Sequence, residues 1–323
     1  MRPLKFHPIL KQTLWGGERI IPYKELASGL SRVGESWELS GMPGSESVVA
    51  EGPWAGSTLS ELIGRFGAEL LGKANYARFG QEFPLLVKFI DAREDLSIQV
   101  HPDDELARKR HGKSGKCEMW YVLEAEPGAS LLTGFSRPIA PAEYERRVAD
   151  NTLTDVLNRQ AIASGDVFYL PAGLVHSIGK GSFIVEIQQS SDITYRIYDF
   201  DRRDAAGNSR ELHTELAREA IDFESSENSR ITYAPENNQE VRLVTTPYFT
   251  TSLYTLTART RCDWSATDSF VAIVLLQGSG SLTDNEGNRI DVRQGETWLL
   301  PASTQWTEIT PHTAPLRLLT SRI

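Results

Sequence analysis

The residues of this chain that are best able to do chemistry are two histidines, a glutamate and a glutamine. Gln99 and His101 are two positions apart in an apolar, strand-like run, and side chains at i and i+2 of a strand project from the same face. Glu118 and His176 lie in later strand-like segments that can fold alongside. Two imidazoles, a carboxylate and an amide oxygen suit Zn²⁺, while Mn²⁺, Fe²⁺ and Co²⁺ are also compatible. We therefore predict that each chain binds one metal ion, with zinc as the first choice.

The composition of this ligand set favours a catalytic site. Structural zinc sites are usually closed by cysteine thiolates, and none of the four residues is a cysteine. A set of nitrogen and oxygen donors with a weak amide ligand leaves room for substrate oxygens. Metal oxygenases normally use more histidine, so Gln99 counts against that class.

Most of the chain consists of short apolar runs separated by Gly, Pro, Asn and Asp, a pattern typical of sandwiches and barrels. Helical segments interrupt it. One covers 58–71, with a Ser/Thr start at Thr58 and Glu61 three residues later. Another covers 141–149 and 153–157, and a third covers 212–221. The sequence therefore predicts a mainly β protein with helical insertions at about 54–80 and 137–160.

An internal repeat divides the chain into two units. The segment Gly165–His176 aligns without gaps on Gly295–Trp306, and both read glycine, acid, aromatic, Leu-Pro-Ala. Trp306 stands where the first copy has His176. We therefore predict a metal-binding catalytic domain over 1–223 and a C-terminal barrel without a metal site over 240–323, joined by a polar linker at 224–239.

Composition and charge exclude several classes of protein. The 323 residues carry a formal net charge of -9, which argues against nucleic acid as a partner. The only cysteines are Cys117 and Cys262, which is typical of a reduced compartment. Because the N-terminal residues lack the apolar core of a signal peptide and no stretch resembles a membrane span, we expect a cytoplasmic protein.

Several blocks resemble the type I mannose-6-phosphate isomerases, in their short bacterial form, which belong to the cupin superfamily. The blocks are Ser97–Asp104, Lys116–Tyr121, Leu170–His176 and Tyr195-Arg196, with further likeness at Trp15–Gly17, Gly34–Glu38 and Pro84–Phe89. The resemblance implies a pair of cupin-type jelly-roll barrels and zinc on Gln99, His101, Glu118 and His176. It also implies interconversion of mannose 6-phosphate and fructose 6-phosphate through a cis-enediol, in a monomer or weak homodimer.

The same resemblance suggests further site residues. Glu186 lies ten positions before Arg196, the spacing by which the family's proposed acid/base glutamate precedes its active-site arginine. In the run 183–189 the odd positions 183, 185 and 187 are apolar, so Glu186 and Gln188 share the opposite face. Arg196 would place a planar cation near the enediolate and the phosphate. Lys116 is a competing proton-transfer group and, with Ser97, resembles the family's phosphate-side contacts.

The sequence also allows other interpretations. The chain could be a sugar-phosphate-binding cupin without activity, or a different cupin metalloenzyme. Lys113 and Arg202 could add to the phosphate contacts, although no motif supports them. For Cys117 we expect core packing. Asp103 and Asp104 are expected to cap a helix that begins near Glu105.

Isolated histidines are usually surface or core residues rather than ligands. We expect this for His7, His111, His213 and His312.

Overall fold

Antiparallel strands are the main regular elements of the protein in the computed structural model, which describes residues 1–224 and 229–323. The strands before residue 225 are β1 Leu4–Lys5, β2 Ile9–Gly17, β3 Val33–Leu39, β4 Gly41–Met42, β5 Ser45–Glu46, β6 Leu85–Asp91, β7 Ile98–Val100, β8 Glu118–Ala125, β9 Ser130–Phe135, β10 Leu157–Ala161, β11 Val167–Leu170, β12 His176–Ile178, β13 Ser182–Gln189 and β14 Tyr195–Tyr198. The later strands are β15 Arg230–Ile231, β16 Glu240–Thr245, β17 Thr250–Leu256, β18 Thr260–Asp263, β19 Val271–Gln277, β20 Ser279–Asp284, β21 Arg289–Arg293, β22 Thr297–Leu300, β23 Trp306–Pro311 and β24 Leu316–Arg322.

Helices occupy the intervals between strands in the first two-thirds of the chain. They are α1 Ile20–Tyr23, α2 Leu59–Phe66, α3 Ala68–Leu71, α4 Lys73–Phe79, α5 Asp104–His111, α6 Pro141–Ala149 and α7 Thr214–Ala220, with a 3₁₀ turn at Leu153–Val156. The predicted start at Thr58 is a full capping box, because Thr58 and Glu61 each accept from the other's backbone N–H. The single helix predicted over 58–71 is two helices, since Gly67 has a positive φ of 49°.

Four large sheets hold the strands of the described residues, except β4 and β5, which pair with each other. A seven-stranded sheet has the order β15-β11-β8-β13-β6-β3-β2, and a five-stranded sheet has the order β10-β9-β12-β7-β14. A six-stranded sheet runs β1-β22-β19-β24-β17-β16, and a four-stranded sheet runs β18-β23-β20-β21. The N-terminal strand β1 thus pairs with β22, far along the chain.

The sheets stack in layers, as their apolar clusters show. One cluster joins the seven-stranded sheet, through residues such as Trp120, to the five-stranded sheet, through residues such as Ile178. A larger cluster joins the opposite face of the seven-stranded sheet to the six-stranded sheet and to α2 and α3. A third lies between the six- and four-stranded sheets. The outer face of the five-stranded sheet is covered by α6 and α7.

The seven-stranded sheet is therefore covered on both faces, and its side chains alternate between two environments. In β8, Met119 and Tyr121 belong to the cluster shared with the six-stranded sheet, whereas Trp120 and Val122 face the five-stranded sheet. The face toward the five-stranded sheet also carries polar groups, and these build the site described below.

The prediction of a mainly β protein is confirmed. Each sheet of the described residues is open rather than closed on itself, so the description as two jelly-roll barrels stays a prediction. The helices predicted at 141–149 and 212–221 are present as α6 and α7. The predicted linker at 224–239 contains β15, which pairs with β11, while positions 225–228 lie outside the described residues.

The internal repeat has the same local structure in both copies. Gly165 and Gly295 both have positive φ, 91° and 80°, and each precedes a four-residue strand, β11 or β22. After the Leu-Pro-Ala turn the next strand begins at the matching position, His176 in one copy and Trp306 in the other. The repeat therefore marks equivalent corners of the two sheet pairs, and only the first corner carries a histidine.

No helix within the described ranges is long and apolar enough to span a bilayer.

The capping box makes a prediction about stability. Replacing Thr58 by alanine removes the side chain that accepts from Glu61 N–H, and should lower the free energy of unfolding by about 1 kcal/mol. Thr58→Ser keeps the acceptor and is the matched control. Urea denaturation followed by circular dichroism measures both, and equal stability of the two variants would contradict the capping role.

Candidate metal centre and catalytic cleft

Two rows of polar side chains face each other between the five- and seven-stranded sheets. In the five-stranded sheet, Arg196 pairs with Gln99, and Gln99 pairs with His176. Directly paired residues of antiparallel strands project on the same face. The three residues therefore form one row across the strands, although Gln99 and Arg196 are 97 positions apart in the chain.

The facing row lies in the seven-stranded sheet. Lys88 pairs with Glu186, and Glu186 pairs with Trp120, so adjacent strands β6, β13 and β8 each contribute one residue. One step away on the same face of β8, Glu118 pairs with Gln188. The register of β13 therefore decides which buried polar groups meet.

The candidate metal centre combines residues from both sheets. The ligand atoms of His101, Glu118 and His176 all lie within 4.8 Å of one another. His101 Nε2 is 3.3 Å from Glu118 Oε1, and His176 Nε2 is 3.6 Å from Glu118 Oε2. All three side chains are buried. Both imidazoles thus direct the same nitrogen at one carboxylate.

Backbone carbonyls orient both imidazoles. His101 Nδ1 is 2.8 Å from the carbonyl oxygen of Ile193, and His176 Nδ1 is 2.8 Å from that of Leu174. A carbonyl can only accept, so each Nδ1 carries the proton and each Nε2 keeps its lone pair. This is the arrangement that fixes a ligating histidine in metal sites.

Gln99 completes the predicted set with one adjustment. Its Nε2 is 3.4 Å from His176 Nε2, while its Oε1 accepts from the Ser97 hydroxyl at 3.3 Å. Metal ligation needs the oxygen on the His176 side. A rotation of the amide about its terminal bond exchanges the two atoms with little change of shape. Gln99 is therefore in place to be a ligand once its amide is turned.

The donor set fits a divalent cation. Among the described residues, neither carboxylate oxygen of Glu118 has a partner in hydrogen-bonding geometry, although both are buried. An unsatisfied buried carboxylate is costly unless a cation compensates it. The ammonium of Lys116 lies against the same donors, 2.5 Å from Glu118 Oε1 and 3.1 Å from His101 Nε2. A cation already stands at the position where these donors converge.

Burial and charge set the protonation states of the ligands. Burial, followed by the charge of Lys116, lowers the pKa of His101 to about 3. Burial also lowers the pKa of His176. For Glu118, burial would raise the pKa, but Lys116 and then His101 hold it well below its usual range. At neutral pH the site therefore presents two neutral imidazoles and one carboxylate, the forms that bind metal.

A cleft of about 170 Å³ opens beside this cluster, between the two rows. Its lining includes all of the predicted catalytic and substrate-binding residues, Ser97, Lys116, Glu186 and Arg196, together with Gln99 from the predicted metal set. Other lining residues are Trp15, Glu35, Trp37, Lys88, Asp192 and Arg210. His101, Glu118 and His176 are not among the lining residues, so the cleft reaches the candidate metal centre through Gln99 and Lys116.

Glu186 is held by partners on two sides. Lys88 Nζ donates to its Oε1 at 2.8 Å, and Trp120 Nε1 donates to its Oε2 at 2.9 Å. Burial would lower the pKa of Lys88, but Glu186 and then Glu35 raise it above its ordinary value. Lys88 is consequently charged, and Glu186 is its counterion.

Lys88 is a site residue that sequence reasoning missed. Its signal was present, because a lysine stands inside the otherwise apolar strand Leu85–Ile90. Charged residues are rarely buried without a partner or a function.

Arg196 reaches the cleft without a carboxylate partner among the described residues. Its Nη1 donates to the carbonyl oxygen of Glu211 at 2.9 Å, and its buried Nε has no partner within those residues. Burial, and next the charge of Arg210, lowers the pKa of Arg196. The guanidinium group of Arg196 can therefore still donate hydrogen bonds to a bound anion.

The other predicted residues lie in more ordinary positions. Lys113 forms an exposed ion pair with Asp192 at 2.8 Å. Cys117 is buried, as expected for core packing. Asp103 caps α5 by accepting from Leu106 N–H. His111 contacts the Tyr195 hydroxyl at 2.8 Å.

His213 Nδ1 accepts from the Arg196 N–H, while His7 and His312 are exposed. None of the four isolated histidines joins the cluster of metal-ligating groups found in the described residues.

Comparisons with known proteins find similarity to mannose-6-phosphate isomerases. Residues 4–131 match the family model described as phosphomannose isomerase type I, catalytic domain. The probable mannose-6-phosphate isomerase GmuF of Bacillus subtilis (strain 168) is 34% identical over 93% of each chain. The mannose-6-phosphate isomerase of Streptococcus mutans is 33% identical over 93% of this chain and 92% of that one.

The chain belongs to the type I phosphomannose isomerase family.

A solved structure of this family supports the assignment over the whole length. The crystal structure of the mannose 6-phosphate isomerase from Bacillus subtilis matches with a TM-score of 0.90 and 30% identity, covering 100% of both chains. A putative mannosephosphate isomerase from Archaeoglobus fulgidus matches with a TM-score of 0.79 and 22% identity over 99% of this chain and 98% of that one, which supports the fold alone. The phosphomannose isomerase fold therefore extends through both sheet pairs.

The candidate metal centre makes a prediction about binding. Glu118→Gln keeps the shape but removes the anionic donor, and should weaken binding of Zn²⁺ by at least roughly 100-fold, since even outer partners of a ligand contribute 10- to 100-fold. Competition with a chromophoric chelator measures this affinity. Glu105→Gln on the exposed side of α5 is the matched control. Unchanged affinity in Glu118→Gln would exclude Glu118 as a ligand.

Proposed function

We propose that this protein is a zinc-dependent aldose–ketose isomerase that interconverts mannose 6-phosphate and fructose 6-phosphate through a cis-enediol. The observation that carries the proposal is the meeting of three groups in one cleft. Gln99 belongs to the candidate metal set, Glu186 is a buried carboxylate, and Arg196 is a cation without a carboxylate partner in residues 1–224 and 229–323. The names of the B. subtilis and S. mutans relatives supply the substrate.

The reaction moves a proton between C1 and C2 and develops negative charge on a sugar oxygen. A divalent metal held by Gln99, His101, Glu118 and His176 would supply a Lewis acid for that oxygen. Within the chain, Arg196 adds a cation that cannot be titrated away near neutral pH. These groups are preorganised before substrate arrives, which is the condition for strong electrostatic stabilisation.

Glu186 is our assignment for the proton-transferring base. Its two partners hold the carboxylate in one orientation, and its position in the lining lets it face the substrate carbon atoms. Lys88 would act by positioning this carboxylate. The competing candidate, Lys116, contacts Glu118 and His101 instead, which suits proton transfer at a sugar oxygen or contact with the phosphate.

We also propose that this chain has the architecture implied by its resemblance to the family. This architecture includes two cupin-type jelly-roll barrels, a catalytic unit over 1–223 and a metal-free unit over 240–323. Ser97 is assigned to the substrate side, where it lines the cleft and supports Gln99. A cytoplasmic location and a monomer or weak homodimer remain predictions.

The proposed activity predicts a specific response to chelation. The purified protein should form fructose 6-phosphate from mannose 6-phosphate in a coupled assay, lose activity after a chelator removes the metal, and regain it with added Zn²⁺. Activity that survives complete metal removal would contradict the Lewis-acid role. A metal-loaded protein without turnover would favour the alternative of a non-catalytic sugar-phosphate-binding protein. Turnover of other substrates only would favour a different cupin metalloenzyme.

A second prediction concerns the base. Glu186→Gln keeps the size of the side chain but removes its charge and one of its two acceptor oxygens, so it can accept from only one of Lys88 and Trp120. It should lower kcat by roughly 100- to 10,000-fold. Zinc content should stay at the wild-type level, because Glu186 is not among the proposed ligands. Glu126→Gln, at an exposed position, is the control. A kcat within a few-fold of wild type would reassign the base to Lys116.

A further inference from the structure

The segment that follows β14 brings two further arginines close to Arg196. It contains an antiparallel bridge between Arg203 and Ser209. Residues that flank such a bridge lie opposite each other, so Arg202 and Arg210 are neighbours despite their separation in sequence. The hairpin turn is closed by Asp204, whose carboxylate accepts from backbone N–H groups of the turn.

One carboxylate holds both of these arginines. Arg210 donates to Asp199 through Nε at 2.8 Å and through Nη2 at 2.5 Å, a bidentate fork. Arg202 Nη2 donates to the same carboxylate at 2.7 Å. Burial would raise the pKa of Asp199, but the hydrogen bonds from Arg210 and then Arg202 hold it below its usual range. Asp199 is therefore ionised, and both of its carboxylate oxygens accept hydrogen bonds from these arginines.

The backbone before the hairpin is set in an uncommon conformation. Phe200 and Asp201 both have positive φ, 55° and 52°, in the left-handed region that non-glycine residues rarely adopt. Such conformations persist where the surrounding structure enforces them, and they cluster at functional sites. Here they turn the chain so that Asp199 and the Arg202–Arg210 pair face each other.

The cluster carries more positive than negative charge. Arg196, Arg202 and Arg210 contribute three guanidinium groups, whereas Asp199 is the carboxylate that pairs with two of them. Arg196 has no ion pair with a described residue. The nearby Glu211 is exposed, and its carboxylate lies 3.8 Å from His213. Arg196 and Arg210 line the cleft, and Asp192 in the same lining is paired with Lys113. The excess of positive charge in this cluster attracts an anion such as a phosphate.

Arg210 has donor capacity left over for such an anion. Its Nε and Nη2 are used by Asp199, while no acceptor for Nη1 is found in residues 1–224 or 229–323. Arg210 lines the cleft together with Gln99 and Arg196, and it also borders a surface depression next to Trp15. It therefore stands at the mouth of the cleft.

We propose that Arg210 binds the phosphate group of the substrate together with Arg196, and that Asp199 positions Arg210 for this contact. This inference rests on the proposed function and adds the residue that selects for a phosphorylated sugar. Arg210 would be a specificity-determining residue, because it recognises the part of the substrate that does not react.

The order of groups along the cleft agrees with the shape of the substrate. His176 and Gln99 lie on β12 and β7, Arg196 lies on the edge strand β14, and Arg210 lies in the segment beyond that edge. In a hexose 6-phosphate the reacting C1 and C2 are at one end and the phosphate is at the other. A sugar with its reacting carbons at the candidate metal centre would direct its phosphate toward β14 and Arg210.

The test compares variants of the full-length, zinc-loaded protein. Arg210→Ala should raise the KM for mannose 6-phosphate by roughly 10- to 100-fold, the value of one charged hydrogen-bonding contact, and leave kcat within about threefold. The inhibition constant of inorganic phosphate should rise by a similar factor. Arg210→Lys should restore part of the loss, because it keeps the charge without the fork. Asp199→Asn should raise both constants in the same direction.

Arg203→Ala is the matched control, because Arg203 is exposed in the same hairpin and donates to the carbonyl oxygen of Gly207. KM and phosphate inhibition within about twofold of wild type in Arg210→Ala would overturn the proposal. So would a fall in kcat at constant KM, or equal effects in Arg203→Ala.

A wild-type protein without isomerase activity would remove the proposed function but still leave the phosphate contact open to measurement. Calorimetric titration of inorganic phosphate into wild type and Arg210→Ala then decides it. Weaker binding in the variant supports the contact, and equal binding overturns it.

Discussion

The cross-strand register of two facing sheets is the constraint on which the rest of this structure depends. Because paired residues of antiparallel strands share a face, one register aligns Arg196, Gln99 and His176, and another aligns Lys88 with Glu186. A slip of one residue would turn each side chain to the opposite face. The apolar residues that alternate with these groups prevent such a slip, since their burial specifies the register.

Burying this many charged groups is tolerable only because most of them have partners. A buried charge without a partner lowers the stability of the folded protein by roughly several kcal/mol, whereas a buried ion pair can leave the stability unchanged. Lys88 and Glu186 compensate each other, and Lys116 lies against Glu118. The groups of the described residues that keep unused capacity include the oxygens of Glu118 and the Nε of Arg196. These are the groups that we assign to the metal and to the substrate anion.

The second sheet pair contributes support rather than chemistry in this scheme. Its six-stranded sheet covers the far face of the seven-stranded sheet, and β1 from the N-terminus joins it by pairing with β22. With one face buried in this way, the seven-stranded sheet can present Glu118 and Glu186 on its other face from a fixed backbone. Sites built on such strands are held more accurately than sites built on loops. The segment 199–210 is the exception, and there Asp199 takes over the role of a rigid support.

The sequence by itself determined the chemistry of the donors and the type of structure that holds them. The spacing of Gln99 and His101, the alternation around Glu186, the capping box at Thr58 and the repeated Gly-to-Pro corner are local patterns, so they can be recognised along the chain. Family resemblance then suggested Arg196. The tertiary structure alone decided that Lys88 is the partner of Glu186 and that Lys116 lies against Glu118. It also decided that Arg210 reaches the same cleft as Gln99. These contacts depend on strand pairing between distant segments and on one hairpin turn, and neither leaves a periodic signal in the sequence.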